Sequence, residues 1–379
     1  MISRNCFGTS LSWIGLSLSV ALTCAVGGAL AAEKLPPGEV PFENVQDERQ
    51  QYLRLSSGKL LRVAGNHHSQ TSADEGETWQ QGGRVNPFTI GFKLNDVAIQ
   101  LQSGEHQGRI VVPYYLGMYP DHPDYTPTEQ GGYAIFKGEL ILLETHTHIP
   151  EMSGSFVCYS DDEGQTWQSC VNKKARGFMM GYFKDGHMGH MTCEEPVVAE
   201  LKDGRLLCYM RSTSGRILKS YSEDGGEHWT KVQTTDIAMS NSPCSLKRLP
   251  ETGDLVLVWN QMSADEIRKG YRRGRLSIAI SRDDGETWEN VKTLELSPGI
   301  EPQTWVEPPP LQAMVRSPNG RENPMSELPD GFTHYHYSSV FISANKIFIS
   351  YSVNPLAGPG EVRWRVFPIS WLYEPASKG

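Results

Sequence analysis

The sequence has no segment with sustained helical periodicity, and beyond its N-terminal stretch it has no apolar run long enough to span a bilayer. It also lacks an excess of positive charge, because 35 Lys and Arg residues stand against 44 Asp and Glu, a formal net charge of -9. A nucleic-acid-binding surface needs the opposite sign, so nucleic acid is not an expected partner. No CxxC pair is present, which leaves a zinc-cysteine site without support. We expect neither a metal nor a cofactor.

The N-terminal stretch has the pattern of a secretory signal peptide. Arg4 precedes an apolar stretch from Leu16 to Val26, and Ala29-Leu30-Ala31 supplies an A-x-A cleavage pattern. We therefore expect a signal peptide at residues 1–31, a secreted or periplasmic protein, and no membrane span after cleavage. An N-terminal membrane anchor is the alternative interpretation.

Five cysteines follow the predicted cleavage point, namely Cys158, Cys170, Cys193, Cys208 and Cys244. An odd number leaves at least one thiol unpaired. Cys158 and Cys170 flank a turn almost symmetrically, which makes a disulfide between them plausible, although spacing alone does not fix the geometry.

What the sequence does contain is one eight-residue pattern, Ser-x-Asp-x-Gly-x-Thr-Trp, in four copies. These are SADEGETW at 72–79, SDDEGQTW at 160–167, SEDGGEHW at 222–229 and SRDDGETW at 281–288. The Asp can accept backbone N–H groups, the Gly can adopt a positive φ, and the Trp can anchor the turn on its neighbours. A turn repeated in every unit is more simply structural than catalytic, so the copies indicate a repeat protein.

Apolar stretches with a period of two lie between these turns and form five predicted β-hairpins. They are 52–55/60–63, 97–101/110–112, 197–201/206–210, 245–249/255–259 and 340–343/347–350. Two long inserts interrupt the repeats. The insert at 116–152 contains a hairpin of its own, and the insert at 297–333 is rich in proline. Such inserts often lie over a binding face, although packing elaborations would look the same.

The repeated turn is the Asp box, and the chain thereby resembles the sialidase (neuraminidase) superfamily of BNR repeats. The resemblance implies an all-β, six-bladed β-propeller as a single domain at 32–379. It also implies Asp boxes between the third and fourth strands of the blades, on the face opposite the active site. We expect the sixth blade to combine N-terminal strands with a C-terminal strand at about 364–373, which would close the sheet edges.

The repeats also allow a register argument. The first strand of a blade starts near the propeller axis, and counting nine residues back from the hairpin glycine identifies Arg49, Asn95 and Glu195. The matching positions in the next two blades are about Ser242 and Tyr337. Five apolar strands that each start with a polar residue suggest a ring of side chains around a polar pocket. Strand starts could also be polar simply because they emerge from loops.

Several of these positions resemble the catalytic pattern of exo-sialidases in EPVVAELKDGRLLCYMR, in RGRLSIAIS before an Asp box, and in Tyr-Ser before an apolar strand. The resemblance implies Tyr337 as the nucleophile, Glu195 as its activator, and Arg211 and Arg273 as arginines that clamp a substrate carboxylate. Planar guanidinium groups bind carboxylates in a bidentate manner. Arg49 would be the third arginine, supported by register only.

The general acid of the family is missing, since residues 50–71 contain no acidic side chain where sialidases have an Asp. Asp96, beside the predicted ligand-binding residue Asn95, is our candidate substitute, and a histidine is the alternative. His67, His68 and His336 follow or precede strand ends that should reach the active face. A His–Tyr pair could perform acid–base chemistry, and an H-x-H pair could also bind a metal, but loop histidines without a catalytic role are the simplest interpretation.

These observations favour an exported exo-glycoside hydrolase that releases a terminal anionic, sialic acid-like sugar, with a glycan or glycoconjugate as its partner. Two alternatives stay open. One is a polysaccharide lyase or divergent glycosidase that uses His and Tyr on the same propeller. The other is a propeller that binds glycans without turnover.

Overall fold

The structure is a computed structural model that describes residues 52–64, 67–87, 98–118, 132–136, 139–144, 152–171, 177–179, 181–182, 190–212, 214–309, 314–316, 328–343 and 345–375. These residues form an all-β propeller of antiparallel blades. The signal peptide predicted at 1–31 lies outside them. Among the described residues, no helix has the length and apolar character needed to cross a membrane.

The first two blades each have four strands. Blade one contains β1 (Leu53–Arg54), β2 (Leu60–Val63), β3 (His68–Ser72) and β4 (Gln80–Arg84). Blade two contains β5 (Ile99–Gln100) and β6 (Ile110–Met118), then, after the hairpin of β7 (Gly132–Phe136) and β8 (Glu139–Glu144), β9 (Met152–Ser160) and β10 (Gln168–Ser169). A two-stranded ribbon of β11 (Gly181–Tyr182) and β12 (His190–Met191) follows.

The next two blades also have four strands. Blade three contains β13 (Glu194–Glu200), β14 (Leu206–Arg211), β15 (Arg216–Ser222) and β16 (Gln233–Ala238). Blade four contains β17 (Ser245–Arg248), β18 (Leu255–Asn260), β19 (Arg275–Ser281) and β20 (Glu289–Leu296), with the short helix α1 (Ala264–Arg268) between β18 and β19. All five predicted hairpins are confirmed, the fifth in the last blade.

The described residues form five blades, so the prediction of six is not supported. Blade five has three strands, β22 (Thr333–Ser343), β23 (Lys346–Pro355) and β24 (Glu361–Pro368). The closing strand predicted at about 364–373 is a strand only in its first half. That half is β24, which pairs with β23 along its whole length and so belongs to blade five, whereas the N-terminal strands expected beside it lie outside the described residues. Its second half is the helix α2 (Ile369–Tyr373), which packs on blades four and five through Leu372.

The two inserts meet in one small sheet. The hairpin predicted within 116–152 is confirmed as β7 and β8. The proline-rich insert contributes β21 (Met314–Arg316), which pairs antiparallel with β7. Segments about 180 residues apart along the chain therefore form a single three-stranded sheet.

Each Asp box is the turn between the third and fourth strands of its blade, as expected. In the first box the Ser72 hydroxyl accepts the Gly76 amide at 2.8 Å, and Asp74 Oδ1 accepts the Thr78 amide at 2.9 Å. Trp79 closes the turn by donating to the Gly76 carbonyl at 2.9 Å. Hydrogen bonds from Thr78 and Ser72 lower the pKa of Asp74 to about 2. The aspartates therefore hold the turns.

The core lies between neighbouring blades. Strands β14 and β18 are buried at every residue, because both of their faces are covered by adjacent sheets. Their sequences, LLCYMR and LVLVWN, are accordingly apolar almost throughout instead of alternating. Arg211, the polar last residue of β14, therefore lies at the end of a fully buried strand.

No disulfide joins Cys158 and Cys170, a pairing that the sequence left open, since both cysteines are free and buried. The strand register explains this result, because Ser169 and not Cys170 lies opposite Cys158. Successive residues of a strand point to opposite faces, so the shift by one residue separates the thiols. Cys170 Sγ instead accepts the Val157 amide at 3.1 Å.

Candidate active site

Glu195, Arg211 and Tyr337 meet as the sequence predicted. Arg211 Nη1 donates to Glu195 Oε2 at 2.7 Å, and the Tyr337 hydroxyl donates to Glu195 Oε1 at 3.3 Å. Glu195 is 4% exposed and Arg211 is 2% exposed, whereas the Tyr337 ring remains 43% exposed. A buried ion pair thus supports one accessible phenol.

In blade three, the strand register places this cluster at the end of the blade opposite its Asp box. Glu194 pairs with Arg211 at one end of β13 and β14, and Glu200 pairs with Leu206 at the other end. Leu206 in turn pairs with Ser222, the first residue of the third Asp box. The active-site end and the box end of the blade are therefore separated by the length of the strands.

Two β-bulges present the acid and the phenol. The ladder between β13 and β14 shifts between Glu194 and Val197, and the ladder between β22 and β23 shifts between His336 and Ser339. Inside these bulges Glu195 has φ 45° and Tyr337 has φ 54°. Positive φ costs a residue with a side chain about 1–2 kcal/mol. Such bulges aim side chains and are common beside active sites.

Arg273 completes the group at the entrance to the third strand of blade four, with φ 51°. Its guanidinium carbon lies 5.7 Å from the centre of the Tyr337 ring, and its Nη2 donates to the Asn241 carbonyl at 2.8 Å. Arg211 Nε donates to Asn241 Oδ1 at 2.6 Å. Asn241 therefore positions both arginines.

Asn241 was missed by the register argument, which gave the next residue, Ser242. Ser242 is fully buried, and its hydroxyl donates to Asn260 Oδ1 at 2.9 Å. The turn of blade four is longer than the others, which shifts the count by one. The polar doublet Asn-Ser before Pro243 was the available signal.

Tyr115 and Glu194 were also missed. Burial raises the pKa of the Tyr115 phenol, and the carboxylates of Glu195 and Glu194 raise it further. Burial also raises the pKa of Glu194, to about 7, with Glu195 adding to the rise and Arg211 opposing it. Tyr115 comes from β6, which runs several residues beyond its predicted end. Glu194 directly precedes the predicted Glu195, so adjacency was its only signal.

Of the candidate histidines, only His336 lies against Tyr337, edge-on with 5.1 Å between ring centres. Burial lowers the pKa of His336 to about 3, and nearby Arg273 lowers it further, so the ring is neutral. Asn354 Nδ2 donates to its Nε2 at 2.6 Å. The ring nitrogen that could accept a proton is thereby engaged.

His67 and His68 lie on blade one. The His67 ring is 6.0 Å from the ring of Tyr114, and His68 Nδ1 lies 3.5 Å from the Gly82 carbonyl oxygen. Neither has a direct contact with Glu195 or Tyr337 among the contacts of the described residues. Arg49, Asn95 and Asp96 lie outside the described residues. Within the described ranges, no group of three His, Cys, Asp or Glu side chains is arranged to hold a metal ion.

Comparison with known proteins adds the family. A family model described as a BNR repeat-like domain matches residues 50–349. The anhydrosialidase of Macrobdella decora is 25% identical over 227 residues, which cover 57% of this chain and 23% of that protein. The chain thus matches about a quarter of the length of this curated relative.

Two solved structures are similar at lower identity. A protein of unknown function from Dyadobacter fermentans is 16% identical, with a TM-score of 0.46 over 83% of this chain and 74% of that one. The intramolecular trans-sialidase from Ruminococcus gnavus is 17% identical, with a TM-score of 0.43 over 83% of this chain and 52% of that one. Because the family model matches most of this chain, the chain belongs to the BNR repeat-like family of the sialidase superfamily.

Proposed function

We propose that this protein is an exported exo-glycoside hydrolase that releases a terminal, sialic acid-like sugar from a glycan or glycoconjugate. The observation that carries the proposal is the hydrogen bond from the accessible Tyr337 hydroxyl to the buried Glu195 carboxylate. The name of the anhydrosialidase relative points to the same class of substrate.

The chemistry follows from the charges. Burial raises the pKa of Tyr337, the Glu195 carboxylate raises it further, and Arg211 and Arg273 oppose the rise. The phenol is therefore neutral at neutral pH and needs a base as it attacks. Glu195 is that base. A neutral nucleophile approaches an anomeric carbon that bears a carboxylate with less repulsion than an aspartate would, and tyrosine nucleophiles are the sialidase exception among glycosidases.

Arg211 supports an anionic substrate. Its Nη2 atom is buried and makes no hydrogen bond to any described residue, although Nη1 and Nε are both engaged. A buried guanidinium N–H without an acceptor is costly, and a substrate carboxylate would supply the acceptor. Arg273, whose guanidinium lies over the Tyr337 ring, places a second positive charge beside the nucleophile.

The lyase alternative needs a histidine to exchange a proton with Tyr337. The Tyr337 hydroxyl instead bonds Glu195, and His336 Nε2 accepts from Asn354. These contacts favour the hydrolase.

The test is product analysis with a methylumbelliferyl α-sialoside and with sialyllactose. We expect free sialic acid, or an anhydro sugar of the kind that the relative's name suggests, and a fluorinated sialic acid analogue should label Tyr337. The Tyr337→Phe variant is the control and should give neither product nor label. An unsaturated uronate released from a polyanion by the unaltered protein would establish the lyase instead, and binding without turnover would establish a lectin-like propeller.

A further inference from the structure

Glu194 is a second carboxyl group at the site. It lies next to Glu195 in the chain, and its Cα pairs directly with that of Arg211 across β13 and β14. The carboxylates of both glutamates act on the Arg211 guanidinium and on the Tyr115 phenol. The bulge at Glu195 interrupts the usual alternation of side chains, which allows neighbouring residues to face the same cluster.

The two carboxyl groups have different partners. Glu195 holds the ion pair with Arg211 and the hydrogen bond from Tyr337. Glu194 is partly exposed, and its carboxyl group makes no hydrogen bond or ion pair with the described part of the chain. Glu195 is therefore occupied as a base, whereas Glu194 is available to a ligand.

We infer that Glu194 is the proton donor to the leaving group, a role for which residues 50–71, directly ahead of the first Asp box, offer no acidic side chain. The inference rests on the proposed glycosidase function. A protonated Glu194 fits this role, because burial and the Glu195 carboxylate raise the pKa of Glu194 to about 7. A general acid works best with a pKa near the working pH, and paired carboxyl groups with different environments divide the acid and base roles.

The proposed reaction has two steps. Tyr337 Oη bonds to the anomeric carbon while its proton passes to Glu195. The glycosidic C–O bond breaks, and the departing oxygen takes the proton of Glu194. In the second step Glu194, now ionised, removes a proton from a water molecule. The water oxygen bonds to the anomeric carbon and displaces the Tyr337 oxygen. Glu195 then returns its proton to the Tyr337 phenolate.

The first experiment compares kcat/KM of the Glu194→Gln variant on two substrates. An alkyl leaving group, as in sialyllactose, needs protonation, whereas the methylumbelliferyl group leaves without it. We expect a loss of about 10²–10⁴-fold on sialyllactose and a far smaller loss on the aryl sialoside. The Glu195→Gln control should lose both, because it disables the attack itself. Equal losses on both substrates for Glu194→Gln, or none on either, would overturn the inference.

The second experiment needs no turnover, so that failure of the inference and failure of the proposed function are distinguishable. In protein labelled with ¹³C at the glutamate carboxyl groups, one resonance should titrate near pH 7 and be missing from Glu194→Gln. If no glutamate titrates above about pH 5.5, then Glu194 is not the proton donor, whatever the substrate proves to be.

Discussion

Tyr337 and Glu195 share a hydrogen bond across 142 positions of sequence, and each lies in a bulge that its own blade supplies. We predict that Tyr337→Phe and Glu195→Gln each lower kcat by about 10²–10⁴-fold, since each removes one half of the same proton transfer. The double variant should be little worse than either single variant, because the residues act as a unit. Additive losses in steady-state kinetics would show that the two side chains act separately.

Arg211 has a structural role as well as the proposed role in binding. Arg211→Ala would leave Glu195 buried without its partner, which costs about 3–5 kcal/mol. We therefore predict both a large rise in KM and a lower denaturation midpoint for the Ala variant. Arg211→Lys should keep the charge but lose the planar fork, and so should also bind poorly.

The matched control is Arg205→Ala, at the opposite end of the same strand pair. Arg205 and Asp203 form an exposed ion pair, which is worth about 0–1 kcal/mol. Its removal should change neither KM nor the midpoint appreciably. If Arg211→Ala matched this control in stability, the buried ion pair would be contributing nothing to the fold.

Glu195, Arg211, Arg273 and Tyr337 could be grouped from the sequence because strand ends in a repeat protein are countable, while their roles stay those that the family resemblance implies. Tyr115 could not be grouped with them, because that residue reaches the cluster only through the extension of β6 along β9. Its position depends on pairing with a strand about 40 residues away, and no local pattern encodes that.

The blades interlock through close backbone approaches. A Cβ atom on Gly83 would lie 2.4 Å from the Gln165 carbonyl oxygen of the second Asp box. The Gly83 amide donates to the Gly164 carbonyl at 3.0 Å, and the Trp167 indole donates to Ser69 of blade one at 3.1 Å. Strand β4 thus needs glycine where the neighbouring turn presses on it.

We predict that Gly83→Ala lowers the free energy of unfolding by more than about 2 kcal/mol, because backbone must move to admit the methyl group. Gly104→Ala is the control, since Gly104 has a positive φ of 74° but open space around it. The Gly104→Ala variant should lose only the conformational cost of a side chain at positive φ, about 1–2 kcal/mol. Chemical denaturation would measure both, and equal losses would mean that the blades separate easily.

Hairpins were predictable from alternation and turn residues, because these are local. The helices α1 and α2 were not, since five residues are too few to display a helical period. The glycine pair in β4 was visible in the sequence, yet only the structure shows that it faces a box of the next blade.

For the whole molecule, the five described cysteines are free and buried. Burial raises the pKa of Cys170 to about 12 and raises that of Cys158 as well, which suppresses the thiolate needed for exchange. We predict that thermal unfolding has the same midpoint with and without a reductant, within about 1 °C. A midpoint several degrees lower in the presence of the reductant, which corresponds to a loss of about 1 kcal/mol or more in stability, would reveal a disulfide.

Blade number was beyond sequence reasoning for a topological reason. A strand shows its apolar pattern but not its partner, and β24 has the same pattern whether it pairs with β23 or with N-terminal strands. The Asp boxes counted four blades correctly, because each box belongs to one blade. The box-free fifth blade was predicted correctly from its hairpin. The sixth blade had no hairpin of its own and rested on the family resemblance and on closure by terminal strands, and it is this prediction that is not supported.

The positive φ angles of Glu195, Arg273 and Tyr337 lower the stability of the fold, and this cost should be visible in related sequences. At about 1–2 kcal/mol each, three such residues take a sizeable share of the 5–15 kcal/mol by which a typical domain is stable. A lineage selected only for heat resistance would gain by replacing them with glycine or asparagine, while its Asp boxes stayed intact. Related sequences without the proposed catalytic activity should therefore have glycine or asparagine at the positions of Glu195, Arg273 and Tyr337, while all of their Asp boxes are preserved.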